Sequence, residues 1–170
     1  MNSMREIKIA KVTLNIGAGK DQAKLEKALV LLNAITNSTP IKTLTSKRIQ
    51  EWGLRPGLPI GCKITLRKDR AVKMLPRLLE AVEHTLNTRK FDDYGNISFG
   101  IPEYIEIQGV KYDPKIGIMG LEVCVTLERP GYRIKRRKFL TRKIPAKHKI
   151  SRQEAIDFMT KQFNIKVEEE

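Results

Sequence analysis

The sequence predicts an α+β fold, a mostly antiparallel sheet with helices packed on one face and the other face open. Apolar residues alternate with polar ones at Ala10, Val12, Leu14 and Ile16, at Cys62, Ile64 and Leu66, and at Leu121, Val123, Val125 and Leu127. That period of two is the mark of half-buried strands. A second set recurs at helical spacing: Leu25, Ala28, Leu29, Leu32 and Ile35, then Val72, Leu75, Leu79, Val82 and Leu86. The 170 residues favour one domain, 1–170, with a basic loop at 45–59 and a basic arm at 129–150.

Taken in order, the first strand ends at Gly17-Ala18-Gly19, and Asp21 is placed to cap the first helix. Asn37-Ser38-Thr39-Pro40 stops that helix, and Ile41 to Leu44 can form a short strand. Residues 45–59 read as an open loop, basic and broken by Gly53, Pro56, Gly57 and Pro59. After the strand around Ile64, Asp69 can cap a second helix, in which Pro76 implies a kink or a late start. Residues 97–107 and 119–128 supply further strand. Beyond Arg129-Pro130-Gly131 the chain has too few apolar residues to fold alone and should be an extended arm. Ser151-x-x-Glu154 is a capping box that opens a terminal helix through Ile156, Met159 and Phe163.

The net charge of +14 is concentrated. Residues 39–68 carry seven Lys or Arg and one acid, Glu51; residues 129–153 carry eleven and no acid. The remainder of the chain is slightly acidic. Such blocks attract a polyanion through Coulomb forces and counterion release. An anionic membrane would want a basic helix with an apolar back, and neither block has that period. No stretch approaches the roughly 18 consecutive apolar residues of a membrane span. Met1-Asn2-Ser3-Met4-Arg5-Glu6 has no apolar signal core, so a cytoplasmic protein is expected. Nucleic acid is the partner this charge pattern favours. If helices bury the Val12/Leu14 and Ile64/Leu66 face, the open face presents Lys11, Thr13, Asn15, Lys63, Thr65 and Arg67, none of them acidic.

Catalytic signals are thin. His84 falls within the second helical pattern, and His148, between Lys147 and Lys149, reads as another RNA-facing residue. Gly17-Ala18-Gly19-Lys20 lacks the third glycine of a dinucleotide loop and the Lys-Ser/Thr ending of a P-loop; a tight turn accounts for it better. Asp92-Asp93 reads as solvated. Cys62 and Cys124 read as reduced residues rather than a bridge, and no Cys or His spacing suits zinc. No enzyme, cofactor or metal is expected. The rivals are a general nucleic-acid-binding regulator and a small nucleotide-dependent transferase.

Leu14-Asn15-Ile16-Gly17-Ala18-Gly19 and Pro59-Ile60-Gly61-Cys62-Lys63-Ile64-Thr65-Leu66-Arg67 resemble signature segments of the family of large-subunit ribosomal protein five. Tyr112-Asp113-Pro114, Ile116-Gly117-Ile118 and Arg129-Pro130-Gly131-Tyr132-Arg133 resemble its archaeal and eukaryotic branch, and the short N-terminal region makes an archaeal-type member the closer likeness. The resemblance runs almost end to end. It implies a constituent of the large ribosomal subunit that binds 5S rRNA, helps attach it to the central protuberance, and sends one loop to the P-site tRNA. Large-subunit rRNA and neighbouring proteins of the protuberance would be its other partners. Carried over, the 5S contacts fall on Lys11, Thr13, Asn15 and Thr65, to which Lys63, Arg67 and the arm residues Arg133, Arg136 and Arg137 add charge. Ser38 stands where bacterial relatives have a contacting glutamine.

The tRNA loop maps to 47–57, with Lys47, Arg48, Trp52 and Arg55 as its contacts. Trp52 either stacks on the tRNA or folds back with Ile49 as a small satellite cluster. Side chains cannot read the deep major groove of A-form RNA, so the sheet should grip backbone, 2′-hydroxyls and exposed loop bases.

Overall fold

The computed structural model describes residues 2–168. Its strands are β1 (Lys8–Gly17), β2 (Ile41–Leu44), β3 (Pro59–Leu66), β4 (Thr85–Asn87), β5 (Asn96–Ile101), β6 (Leu121–Glu128) and β7 (Lys166–Glu168). Its α-helices are α1 (Gln22–Thr36), α2 (Asp69–Glu80), the single turn α3 (Arg133–Arg136) and α4 (Arg152–Phe163).

Five strands form one sheet in the order β2-β3-β1-β6-β5, every neighbour antiparallel. Val12, Leu14, Ile16, Ile64 and Leu66 point inward and meet Leu25, Ala28, Leu32 and Ile35 of α1 and Leu75, Leu78 and Leu79 of α2. The predicted α+β architecture is therefore what these residues build. β1 and β3 approach closely at the Gly17–Gly61 pair; a Cβ on Gly61 would sit 2.6 Å from the Ile16 carbonyl oxygen. Only glycine fits there without moving backbone, which is a packing reason for the glycine of the Pro-Ile-Gly-Cys segment.

Several expectations are corrected. The β1–β6 register shifts between Ile9 and Lys11, a bulge that breaks the alternation. Ile7 and Ile9, rather than Ala10, therefore pack against the core. In α1 it is Leu31, not Leu29, that is fully buried. Asp69 is the first residue of α2 rather than its cap, because Lys68 before it has φ 55° and no capping side chain. Its carboxylate still faces the favourable end of the helix dipole. The helix starts on time and runs through Pro76. The carbonyl that Pro76 leaves without a helical partner belongs to Val72, which is exposed rather than inward as expected.

The helix ends at Glu80, so Val82 lies beyond it and Leu86 belongs to β4. His84 is likewise outside the helix, in a turn at φ 54°. Strand β5 stops at Ile101 before Pro102, and 104–106 is a 3-10 turn rather than strand. Asp92 is not merely solvated: its carboxylate accepts from the backbone N–H groups of Tyr94 and Asn96 and from Asn96 Nδ2, and so shapes the turn into β5. β4 and β7 pair in parallel, a pairing that no period in the sequence marks.

The capping box is present, with Ser151 and Glu154 bonded reciprocally at the start of α4. Ala155 and Met159 are buried, and Ile156 and Phe163 are partly so. Asp21 caps α1 by accepting from the Lys24 N–H.

Candidate nucleic-acid interface

Strand pairing sets the open face in rows. Asn15 stands opposite Lys63 on β3 and Glu122 on β6; Thr13 stands opposite Thr65 and Cys124. Lys11 stands opposite Thr126, which pairs in turn with Asn96 of β5. Lys63, Thr65 and Arg67 are exposed, while Lys11, Thr13 and Asn15 are half-buried between their neighbours. All six predicted residues lie on this face.

The face is not free of acid, because β6 contributes Glu122 and Glu128, which the reading of two strands alone could not include. Glu122 accepts a 3.2 Å hydrogen bond from Asn15 Nδ2. That bond fixes the Asn15 amide and leaves its oxygen as an acceptor. Glu128 is held at 2.8 Å by Arg136. Positive charge thus dominates the β3–β1 half and the end nearest the arm.

Loop and arm lie at opposite ends of the sheet: the loop leads into the start of β3 beside Gly17, whereas the arm follows β6, whose last residue pairs with Lys8. The loop is more ordered than an open loop. Ile49 and Leu54 bridge, Thr45 and Leu58 bond across its base, and the Thr45 hydroxyl donates to the Arg55 carbonyl. Lys47, Arg48 and Arg55 are exposed, and so is Trp52, at 62%. Trp52 therefore does not fold back on the domain, and a ring this open can meet a partner.

The arm is not simply extended. Arg129 is buried, 6% exposed, and its guanidinium donates to the carbonyls of His148 (3.4 Å) and Lys149 (3.1 Å) and to Glu154 (2.7 Å). His148 does not face outward. It bonds the Pro130 carbonyl at 2.9 Å, lies edge-on to Tyr132 and is half-buried. Tyr132 donates its hydroxyl to the His148 carbonyl, and Ile150 is fully buried. Residues 130–149 are therefore a loop clamped at its base.

Burial disfavours the Glu154 carboxylate, but the Ser151 N–H together with the hydrogen bond and charge of Arg129 outweigh it, so its pKa falls below the ordinary value. Burial raises the Tyr132 pKa. Within the arm, Arg137 Nε donates to the Leu140 carbonyl, and Arg133 is exposed on α3. Arg136, Lys11 and Arg67 come together around a hollow of 960 Å³ between arm and sheet; Arg133 and Arg137 do not line it. Tyr94 and Lys149 do, and nothing local in the sequence marks them, because the chain brings them together only through the fold.

The cysteines are free, with Cys62 buried and Cys124 exposed. Burial pushes the Cys62 thiol up to about 11, and burial with the nearby Glu122 charge raises Cys124. Among the described residues, no three His, Cys, Asp or Glu side chains cluster as a metal site, and no helix is long and apolar enough to cross a membrane.

Comparison with known proteins fits this surface. Residues 2–55 match the family model described as ribosomal protein L5, and residues 59–158 match the model of that ribosomal family's C-terminus. A large ribosomal subunit protein uL5 from Nanoarchaeum equitans is 47% identical over 96% of this chain and 97% of its own length. Its counterpart in Sulfolobus acidocaldarius is 46% identical over 98% of the chain and 93% of its own, and that in Methanobrevibacter smithii 44% over 97% of each. A basic α+β fold with these relatives is a structural, RNA-binding protein of the ribosome rather than an enzyme. The chain belongs to the ribosomal protein L5 family and is of archaeal type, a constituent of the large ribosomal subunit in the cytoplasm.

Proposed function

We propose that the open sheet face binds 5S rRNA and helps attach it to the central protuberance, and that the 47–57 loop contacts P-site tRNA. The cross-strand pairing of Asn15 with Lys63 and of Thr13 with Thr65 carries the first part. It sets charge beside groups of fixed direction, and at an RNA surface charge supplies salt-dependent affinity while directed hydrogen bonds supply orientation. The six face residues contribute no aromatic ring, so this is not the base-stacking mode of an RNA-recognition motif. Lys63, Arg67, Arg133, Arg136 and Arg137 add phosphate contacts to rRNA of the large subunit. In the loop, Lys47, Arg48 and Arg55 meet backbone, and the exposed Trp52 stacks on the tRNA. Residues 1–170 act as one domain, with neighbouring proteins of the protuberance packed around it.

The test is a titration of the protein with 5S rRNA, random-sequence RNA and duplex DNA at matched salt. Wild type should prefer 5S rRNA, and Asn15→Ala should lose about 1–3 kcal/mol of that discrimination. The substitution also frees the Glu122 carboxylate to repel phosphate. Equal losses on specific and random RNA would reject the assignment to the sheet face. Comparable binding of duplex DNA would favour a general nucleic-acid-binding protein.

A further inference from the structure

The hollow between arm and sheet is not explained by contacts of the flat face. We propose that it admits one unpaired RNA nucleotide, its base against the Tyr94 ring and its phosphates against the cations of the arm. This rests on the RNA-binding reading and adds a site to it.

Four observations carry the assignment. The hollow measures 960 Å³, which is ample for a nucleotide with its flanking phosphates and too small for a duplex. Seven of its lining residues are Lys or Arg; the one acid, Glu128, is already paired with Arg136. Arg142 and Lys143 come from the arm, Lys11 and Arg67 from the sheet, so a strand lying between them meets positive charge on both sides. Tyr94 is 63% exposed, and the Lys149 ammonium lies over its ring at 5.2 Å from the centroid, which steadies the ring and adds a cation beside it.

Hydrogen-bonding capacity completes the site. Asn96 commits its amide nitrogen to Asp92 at 2.6 Å, leaving the amide oxygen as an acceptor, and Thr126 adds a hydroxyl. An acidic peptide would use the charge but would have no need of an exposed aromatic ring. A base needs both. The arm is clamped at its base by Arg129 and Tyr132, so both of its ends are held at the end of β6 beside the hollow.

The experiment uses the full chain and fluorescence anisotropy. Its probes are a labelled single-stranded RNA pentamer and the same pentamer abasic at its central position, with 5S rRNA titrated alongside. Stacking on one aromatic ring predicts that the intact pentamer binds roughly 5- to 150-fold more tightly than the abasic one. Tyr94→Ala should abolish that preference, so that the variant binds the two pentamers equally. Tyr94 is exposed, so the variant keeps the fold. Arg142→Gln with Lys143→Gln should weaken both pentamers alike.

Equal binding of the two pentamers by wild type would overturn the proposal, as would a base preference that survives Tyr94→Ala or that moves to Trp52→Ala. So would hexaglutamate displacing both pentamers equally with no base preference, which would mean charge alone. Tight wild-type binding of 5S rRNA in the same series would show that the wider reading stands even where this site fails.

Discussion

Arg129 is the residue on which the arm depends most, and replacing it with alanine gives a stringent test of the clamp. The side chain is almost fully buried and makes three hydrogen bonds, to two carbonyls and to Glu154. Breaking a buried ion pair by removing one partner costs about 3–5 kcal/mol. Here Glu154 keeps 44% of its side chain in solvent and rehydrates once freed, so the cost falls to about 2–3 kcal/mol. For a chain of this size that lowers the melting temperature by about 5–10 °C. Thermal unfolding by circular dichroism would measure it, with trypsin digestion reporting whether 130–149 comes loose. The Arg136–Glu128 pair is the control: Arg136 is 61% exposed, so Arg136→Ala should cost under about 1 kcal/mol. A melting temperature for Arg129→Ala no lower than that of Arg136→Ala would refute the reasoning.

The clamp should also respond to acid. Glu154 has a lowered pKa when folded, so its contribution is present above the unfolded value and is lost as pH falls through the folded one. Arm cleavage by an acid-tolerant protease should therefore rise below the ordinary carboxylate range in wild type and show no such rise in Glu154→Gln. In the native protein Cys124 should react with a thiol reagent and Cys62 should not until the protein unfolds, because Cys62 is buried and its thiolate disfavoured; two fast thiols in mass spectrometry would contradict the core placement. Arg136→Gln with Arg137→Gln should weaken binding to all RNAs alike and flatten the salt dependence; a loss confined to 5S rRNA would move specificity to the arm. Replacing residues 47–57 with a short Gly-Ser turn should leave folding and 5S binding intact while ribosomes release P-site tRNA faster. An unchanged release rate, with the shortened protein present in the particles, would end the tRNA role of this loop.

What could be read from the residues was local. Strands β1, β3 and β6 and helices α1 and α4 were legible because each carries its own period, and the caps at Asp21 and Ser151 lie within four residues of their partners. The six residues of the open face followed from alternation alone. The losses came wherever a distant partner decides. The bulge at Ala10 exists only against β6, and the acids of the open face belong to a strand about a hundred residues further on. Arg129 looks like one more cation of a basic run until Glu154 is brought beside it, and His148 likewise until it meets Pro130. The three-residue strands β4 and β7 are too short to show a period and pair across some eighty residues.

The order of strands sets when this protein can exist during its synthesis. β1 lies between β3 and β6, so the first strand made waits with both edges unpaired until residue 66 supplies one neighbour and residue 128 the other. The two family segments, which divide near residue 57, interleave in one sheet and cannot mature separately. Pairings this far apart in sequence form late and leave bare strand edges exposed meanwhile. The row that joins Lys63, Asn15 and Glu122 is assembled from three such strands, so an unfinished chain has basic side chains but no ordered face to present. On the function proposed above, recognition of RNA by that face becomes a late event on the growing chain, and a truncated product is left with charge and without discrimination.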